Sequence, residues 1–480
     1  MEINTTVSEV KRFGGYTGKM IVVGVLIVIC WIGSLTVLGV VSERQGREAE
    51  VAREVAEAWG KPQLVAGPGV AVPFMRVERA PSGISQTVRK VLYILPKDLQ
   101  ITSTISPEIR SRGIFSAPVY RADLGFSGSF ISPNLTELGI VPSSLLWNEA
   151  TLVIGLSDTR SVNVVAQGKN EETMWNNSRL NFAPGSSLWS VNEMGIHAPI
   201  IWKQGAIEQK FGFNLSIAGS KGISFLPLGD NTSVVANALW DAPSFVGAYL
   251  PASEDLTKDN FSATWQVSSL GRSYPSAWEG TGSGIKLISS DNNYGYVGFL
   301  ESMPMKSIDI NPGSGENYEQ ALASSAFGVN LFREVTFYTL VSRTVKYAIL
   351  FIALTFLAFY LFEIIASIKV HPFQYLLIGA SLVLFYLLLL SFSEHIGFGK
   401  AYLLSAAMTL GLVTSYSAGV LKAKSRAWIV ALILAVLYAY LYAVLQLESY
   451  ALLFGTLFLF VALATIMRAT RKIEWYKEVE

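Results

Sequence analysis

Between Phe373 and Ser393 the chain carries no charged side chain. At about 1.5 Å per helical residue, a run of this length reaches across a hydrocarbon layer roughly 30 Å thick. The stretch therefore predicts a membrane span, with His371, Pro372 and Gln374 at one end and Glu394 and His395 at the other. Composition agrees. Of 480 residues 51% are hydrophobic and 15% charged, and the mean hydropathy is +0.39, which is the profile of an integral membrane protein. With 37 basic against 36 acidic residues the formal charge is +1, so no overall attraction to nucleic acid is expected.

A second uncharged run, Met20 to Ser42, follows a polar segment holding Lys11, Arg12 and Lys19. Its length, and the lack of a small-x-small site before Glu43 and Arg44, predict an uncleaved anchor rather than a signal peptide. The segment SERQGREAEVAREVAEAWG then repeats Val51, Val55 and Trp59 at four-residue spacing, which predicts a short stalk helix. From Pro62 to about Phe332, short β-branched and aromatic runs alternate with Gly, Pro, Ser and Asn, and Phe211, Phe213, Leu215 and Ile217 fall on one face. A large antiparallel β-sandwich-like domain is expected there, as one sandwich or two. Five more spans are read at Tyr347 to Ile368, Phe373 to Ser393, Ala401 to Leu421, Ala427 to Leu447 and Ser449 to Met467.

The fold class expected is thus membrane α + β, a six-span helical bundle with one N-terminal and five C-terminal spans. The divisions are an N-terminal tail and anchor (1–42), a stalk helix (43–61), a periplasmic β-rich domain (62–345), a five-helix transmembrane bundle (346–468) and a cytoplasmic tail (469–480). Basic residues set the orientation. Lys11, Arg12, Lys19, Lys369, Lys422, Lys424, Arg426, Arg468, Arg471, Lys472 and Lys477 fall on one side, and only Lys400 in the opposite short connections. By the positive-inside rule both termini are cytoplasmic and the β-rich domain lies outside.

Little in the sequence points to catalysis. Three histidines, one cysteine (Cys30) and no HExxH or CxxC pattern leave no evident metal site, and no cofactor is implied. No GxSxG elbow or phosphate-binding glycine motif occurs in the right context. The sharper signal is the polar residues within or beside the spans, because an unpaired charge in the bilayer is expensive. Glu363 lies within reach of Lys369 or His371. Glu394, His395 and Glu448 sit at outer span ends, where they either form a proton or cation site or cap helices and reach into headgroups. Tyr438 and Tyr442 share a helix face, Tyr440 another, and Gly379, Ala380 and Ser381 allow close helix packing.

Several segments carry a family likeness: RTVKYAILFIALTFLAFYLFE, HPFQYLLIG, LFYLLLLSFSEHIGF, QLESYALLFG and RKIEWY between Phe327 and Tyr476, with SRGIFSAPVY, NLSIAGSKGISFLPLG and PSFVGAYLP upstream. In these the chain resembles the CreD family of bacterial inner-membrane proteins, described as cell envelope integrity proteins. The resemblance implies a bacterial inner-membrane location, a link to envelope integrity and the envelope stress response, and no known catalytic residues. Glu363, His371, Gln374, Glu394, His395 and Glu448 match the family pattern without an assigned role. The expectation is a non-enzymatic membrane-anchored periplasmic interaction module, in contact with the lipid bilayer and with an envelope protein, lipid or glycan as partner. The alternative is a transporter or lipid- or glycan-handling protein with a polar site at the outer ends of the C-terminal spans.

Overall fold

Tyr16–Trp59 forms one continuous helix of 44 residues, α1. Its first half is apolar, and in lipid a helix is the conformation that satisfies every backbone group internally. Its second half is rich in Glu, Arg and Ala, good helix formers in water. The helix closes at Gly60, whose N–H donates to Ala56 O at 2.9 Å. The predicted anchor and stalk are thus a single element.

The computed structural model describes residues 16–79, 84–164, 174–185, 194–280, 322, 324–331, 337–366, 370–421, 424–447 and 450–471. The chain divides into two units: Met1–Glu48 with Glu334–Glu480, and Ala49–Arg333. The second interrupts the first in sequence.

The helical unit contains the start of α1 and then α2 (Phe337–Lys346), α3 (Ala348–Ala366), α4 (Pro372–Ile396), α5 (Phe398–Val420), α6 (Lys424–Gln446) and α7 (Ala451–Thr470). Among the described residues four helices, α1, α4, α5 and α6, are long and apolar enough to cross a membrane. The remaining two expected spans take another form. α2 and α3 meet at a 44° bend, and among the described residues Leu453–Arg468 of α7 is a shorter apolar helix. A single residue, Gly397, joins α4 to α5. It has φ +79°, a left-handed conformation that glycine adopts without a Cβ penalty. The two helices therefore pack side by side, with Phe385 edge-on to Tyr402 at 5.6 Å. Tyr402 OH donates to Tyr438 O of α6 at 2.7 Å, which satisfies a hydroxyl that would be costly to leave unpaired in this dry interior. Large apolar side chains such as Leu403, Leu432 and Phe460 are exposed on the outer helix faces. They make up the surface that contacts lipid.

Gly379 on α4 marks where α1 approaches. A Cβ built there would collide with Cys30 Sγ and stand 2.8 Å from Phe356 Cζ. The glycine is a packing requirement.

In the β unit, β1 (Gln63–Arg79), β2 (Ser85–Ile94), β3 (Asp98–Arg112), β4 (Phe115–Phe130), β5 (Thr151–Leu156), β6 (Gly195–Pro199), β7 (Gln209–Ser220), β8 (Gly222–Phe225), β9 (Asn231–Ala238), β10 (Ser244–Gly247), β11 (Phe261–Ser268) and β12 (Phe327–Asn330) are the main strands. With short edge strands they form two nine-stranded sheets among the described residues. One runs β10-β12-β8-β1-β5-β6, with β2 also on β1; the other runs β11-β9-β3-β4-β7. The expected wholly antiparallel arrangement needs correction. β1 pairs with β8 in parallel, and so does β9 with β3, so both sheets are mixed. The reason is that long excursions separate these partners in sequence, and a distant strand can return in either direction.

Both sheets contribute to one buried core, in which Trp265, Tyr93, Phe225 and Phe74 are fully enclosed. The alternation of Phe211, Phe213, Leu215 and Ile217 on β7 is realised, with all four buried. Apolar side chains at every second position of a strand share a face, and here that face is the core.

The register brings the two ends of the unit together. Gln63, where β1 starts, pairs with Ile223 of β8, and Ile223 pairs with Val329 of β12, where the sheet ends. First and last strands flank one strand, so these residues lie roughly 10 Å apart.

Candidate functional site

Glu363, on α3, is almost wholly buried, and an isolated carboxylate there would be strongly destabilised. It is fully engaged. Lys19 of α1 forms an ion pair with Oε1, and Val370 N–H donates to the same oxygen at 3.1 Å. Tyr375 OH of α4 donates to Oε2 at 3.0 Å. Lys19 Nζ in turn donates to Val370 O at 2.7 Å, closing a ring that joins α1, the α3–α4 connection and α4. The expected partner of Glu363 was Lys369 or His371. Lys369 lies outside the described residues, and His371 is committed elsewhere.

His371 is the N-cap of α4. Its Nδ1 accepts from Phe373 N–H at 3.2 Å, while Gln374 Oε1 accepts from His371 N–H at 3.0 Å. Together they form a capping box, satisfying reciprocally two backbone donors that the helix itself leaves free. Pro372 at the first helical position lacks an N–H to satisfy. The pair His371 and Gln374 is a helix start.

At the other end of α4, Glu394 repeats the logic of Glu363. Tyr338 OH of α2 donates to Oε1 at 3.1 Å, and Arg44 Nε of α1 stands 3.6 Å from the same atom. His395, its neighbour in sequence, is exposed. Glu448 lies outside the described residues. The buried Glu363 and the partly buried Glu394 thus each receive a tyrosine hydroxyl and a basic side chain from α1. Lys19 and Arg44 bracket the uncharged run, about 37 Å apart along the helix axis.

The tyrosines of α6 divide as their spacing suggests. Tyr438 and Tyr442 face Tyr402, Tyr442 at a centroid distance of 5.2 Å. Tyr440 instead stacks on Phe458 of α7 at 4.1 Å. His197 lies on β6 with Nδ1 2.6 Å from Gly185 O, so that nitrogen carries the proton and the ring holds strand to turn. Among the described residues no three His, Cys, Asp or Glu side chains are grouped as metal ligands would be.

In the β unit a second polar cluster escaped the sequence reading. Asp158 is buried and accepts from Arg160 Nε at 3.0 Å, Arg160 Nη2 at 2.6 Å and Lys61 N–H at 3.1 Å. Burial raises its carboxyl pKa, but the Arg160 bonds and the two backbone N–H groups outweigh it and hold the group below its ordinary value. Gln63 Nε2 donates to Asp158 O and Ala218 O at 3.0 and 2.9 Å. Trp59 lies under Arg110 and Arg121, whose guanidinium carbons are 4.5 and 5.3 Å from its ring centre. These groups fix the junction of α1 with β1, and their sequence signal is only the tryptophan that ends the helix.

The geometry of the membrane helices can be set against known proteins. The profile of the family described as "Inner membrane protein CreD" matches residues 16–476. The chain is also 31% identical over 443 residues to Inner membrane protein CreD of Escherichia coli (strain K12), covering 91% of this chain and 88% of that one. The chain belongs to the CreD family. As a CreD-family protein with several apolar helices it is a multi-pass protein of the inner membrane, in contact with the lipid bilayer. The family match runs through the β unit as well as the helices, so both clusters around α1 and the Asp158 junction lie within it.

Proposed function

We propose that this CreD-family protein is a non-catalytic, membrane-anchored module that supports cell envelope integrity or the envelope stress response through its β unit. In this reading α1, the bent α2–α3 pair, α4, α5, α6 and α7 are six spans, both termini are cytoplasmic, and the β unit is periplasmic. The distribution of basic residues supports that orientation. The observation that carries the proposal is the closeness of Gln63 and Val329, one strand apart in the sheet. A domain whose ends are neighbours can be displayed between two membrane helices without strain on either link.

The two ion-paired carboxylates of the helical unit support a structural rather than a catalytic role. Glu363 and Glu394 are occupied by partners within the helical unit. The transport alternative called for Glu394, His395 and Glu448 to line one polar site; Glu394 is engaged by Tyr338 and Arg44, His395 is exposed, and Glu448 lies outside the described residues. The test is deletion of the chromosomal copy, followed by challenge with envelope-directed agents and complementation by the full chain. Heightened sensitivity, reversed by the plasmid copy, is expected. Unchanged sensitivity across such agents would overturn the proposal. Protease added to spheroplasts should digest the β unit, and protection of that unit with loss of the C-terminus would overturn the orientation.

A further inference from the structure

Two loops at one end of the β unit border a half-open cleft of about 440 Å³, within the roughly 300–1,000 Å³ of small-ligand sites. One loop links β4 to β5 and supplies Ser132, Ser143 and Trp147; the other links β6 to β7 and supplies Trp202 and Gln204. None of the side chains lining it is charged. We propose that this cleft binds a neutral saccharide, with Trp147 as the stacking platform and Ser132, Ser143 and Gln204 as hydrogen-bonding groups.

The aromatic arrangement is built to hold one ring in place. Trp147 is half-buried and stacks on Trp202 at 5.0 Å with planes 26° apart. Trp202 is enclosed and leans on Trp175 at 6.0 Å, and Trp175 Nε1–H donates to Ile201 O at 3.1 Å. The core tryptophans therefore prop the outer one.

The backbone around them is equally fixed. Leu146 N–H donates to Pro73 O of β1 at 2.8 Å. The buried Gln209 spans the other loop, accepting from Lys203 N–H at 3.2 Å and donating to Lys203 O at 2.9 Å. A site formed before its ligand arrives loses less entropy on binding.

The chemistry of the walls selects the ligand class. A charged ligand would lose hydration with no counter-charge in return, and a wholly apolar one would strip water from Ser and Gln groups without replacing it. A sugar offers both an apolar C–H face and hydroxyls at its edges. An indole takes the first, while an amide and two hydroxyls take the second. The Ser143 hydroxyl and the Gln204 amide have no side-chain hydrogen bond among the described residues, so they are available to a ligand.

This inference rests on reading the β unit as an interaction module and names the class of its partner. The test uses the full chain in lipid nanodiscs, because maltoside detergents carry a sugar headgroup. Chitotriose and maltotriose are titrated by calorimetry and tryptophan fluorescence. Saturable binding of at least one is expected, weakened tenfold or more by Trp147→Ala and severalfold by Gln204→Ala, the latter with an unchanged thermal transition. The fully deacetylated, cationic form of chitotriose should bind at least tenfold more weakly than the better neutral probe. Absence of saturable binding to both neutral sugars, binding indifferent to both substitutions, or equal binding of the cationic trimer would overturn the proposal. Envelope-stress complementation is scored separately with the same variants. Failed sugar binding beside intact complementation removes the saccharide site alone, whereas sugar binding without a deletion phenotype removes the envelope role alone.

Discussion

Lys19 and Glu363 are 344 residues apart in the chain and form an ion pair inside the helical unit. The first basic residue of α1 thereby fastens to the connection between α3 and α4. A carboxylate this enclosed depends on its partners. Removing one partner strands a charge, whereas removing both leaves a neutral pocket.

Glu363→Gln and Lys19→Met are each expected to destabilise the protein by roughly 1–3 kcal/mol. That is less than the 3–5 kcal/mol of fully buried pairs, because the Lys19 side chain keeps 25% of its exposure. The double variant should be more stable than the sum of the single effects predicts. Thermal unfolding in nanodiscs with a double-mutant cycle measures this; strict additivity would show that the pair contributes no coupling.

Gly379→Ala places a methyl group against Cys30 and Phe356. A loss of about 1–3 kcal/mol is expected from overpacking. Cys30→Ala in the same chain should recover part of it, because the sulfur is one of the two obstacles. The readout is the thermal midpoint, and no recovery would locate the clash at Phe356 alone.

His371→Ala should cost about 1 kcal/mol through loss of the α4 cap, while His371→Asn, which keeps a side-chain acceptor, should cost only a few tenths. Equal losses from both would mean that the ring acts through something other than Nδ1.

Asp158→Asn removes a carboxylate held by Arg160 and by two backbone N–H groups. At neutral pH a loss on the order of 2 kcal/mol is expected. Because its folded pKa is lowered, the wild-type residue contributes fully above the unfolded value of about 3.9. The contribution disappears as pH falls through the folded value. Unfolding curves of wild type and variant should converge in that acid window and diverge again at neutral pH; a constant gap would contradict the assignment.

The membrane helices were readable because an uncharged run of sufficient length is a local property, visible between Phe373 and Ser393 without knowledge of any partner. Partnership is not local. Lys369 and His371 are near Glu363 in sequence, and Lys19 is near only in space. Strand alternation likewise revealed the buried face of β7 but not direction, since Gln63 beside Ile223 in parallel would show the same pattern if antiparallel. Trp147 and Trp202 lie on separate loops, and no spacing rule joins them before the strands beneath are formed.

The separation of Lys19 from Glu363 also has a temporal side. At roughly 5–20 residues per second, synthesis across this separation of 344 positions takes on the order of 20–70 s. Throughout that interval the leading helix sits in the bilayer as an orphan, its cation left to lipid phosphates and water. Assembly of the helical unit must wait until the whole β insertion has left the ribosome, so a helix made well before its partners is among the last to find its place.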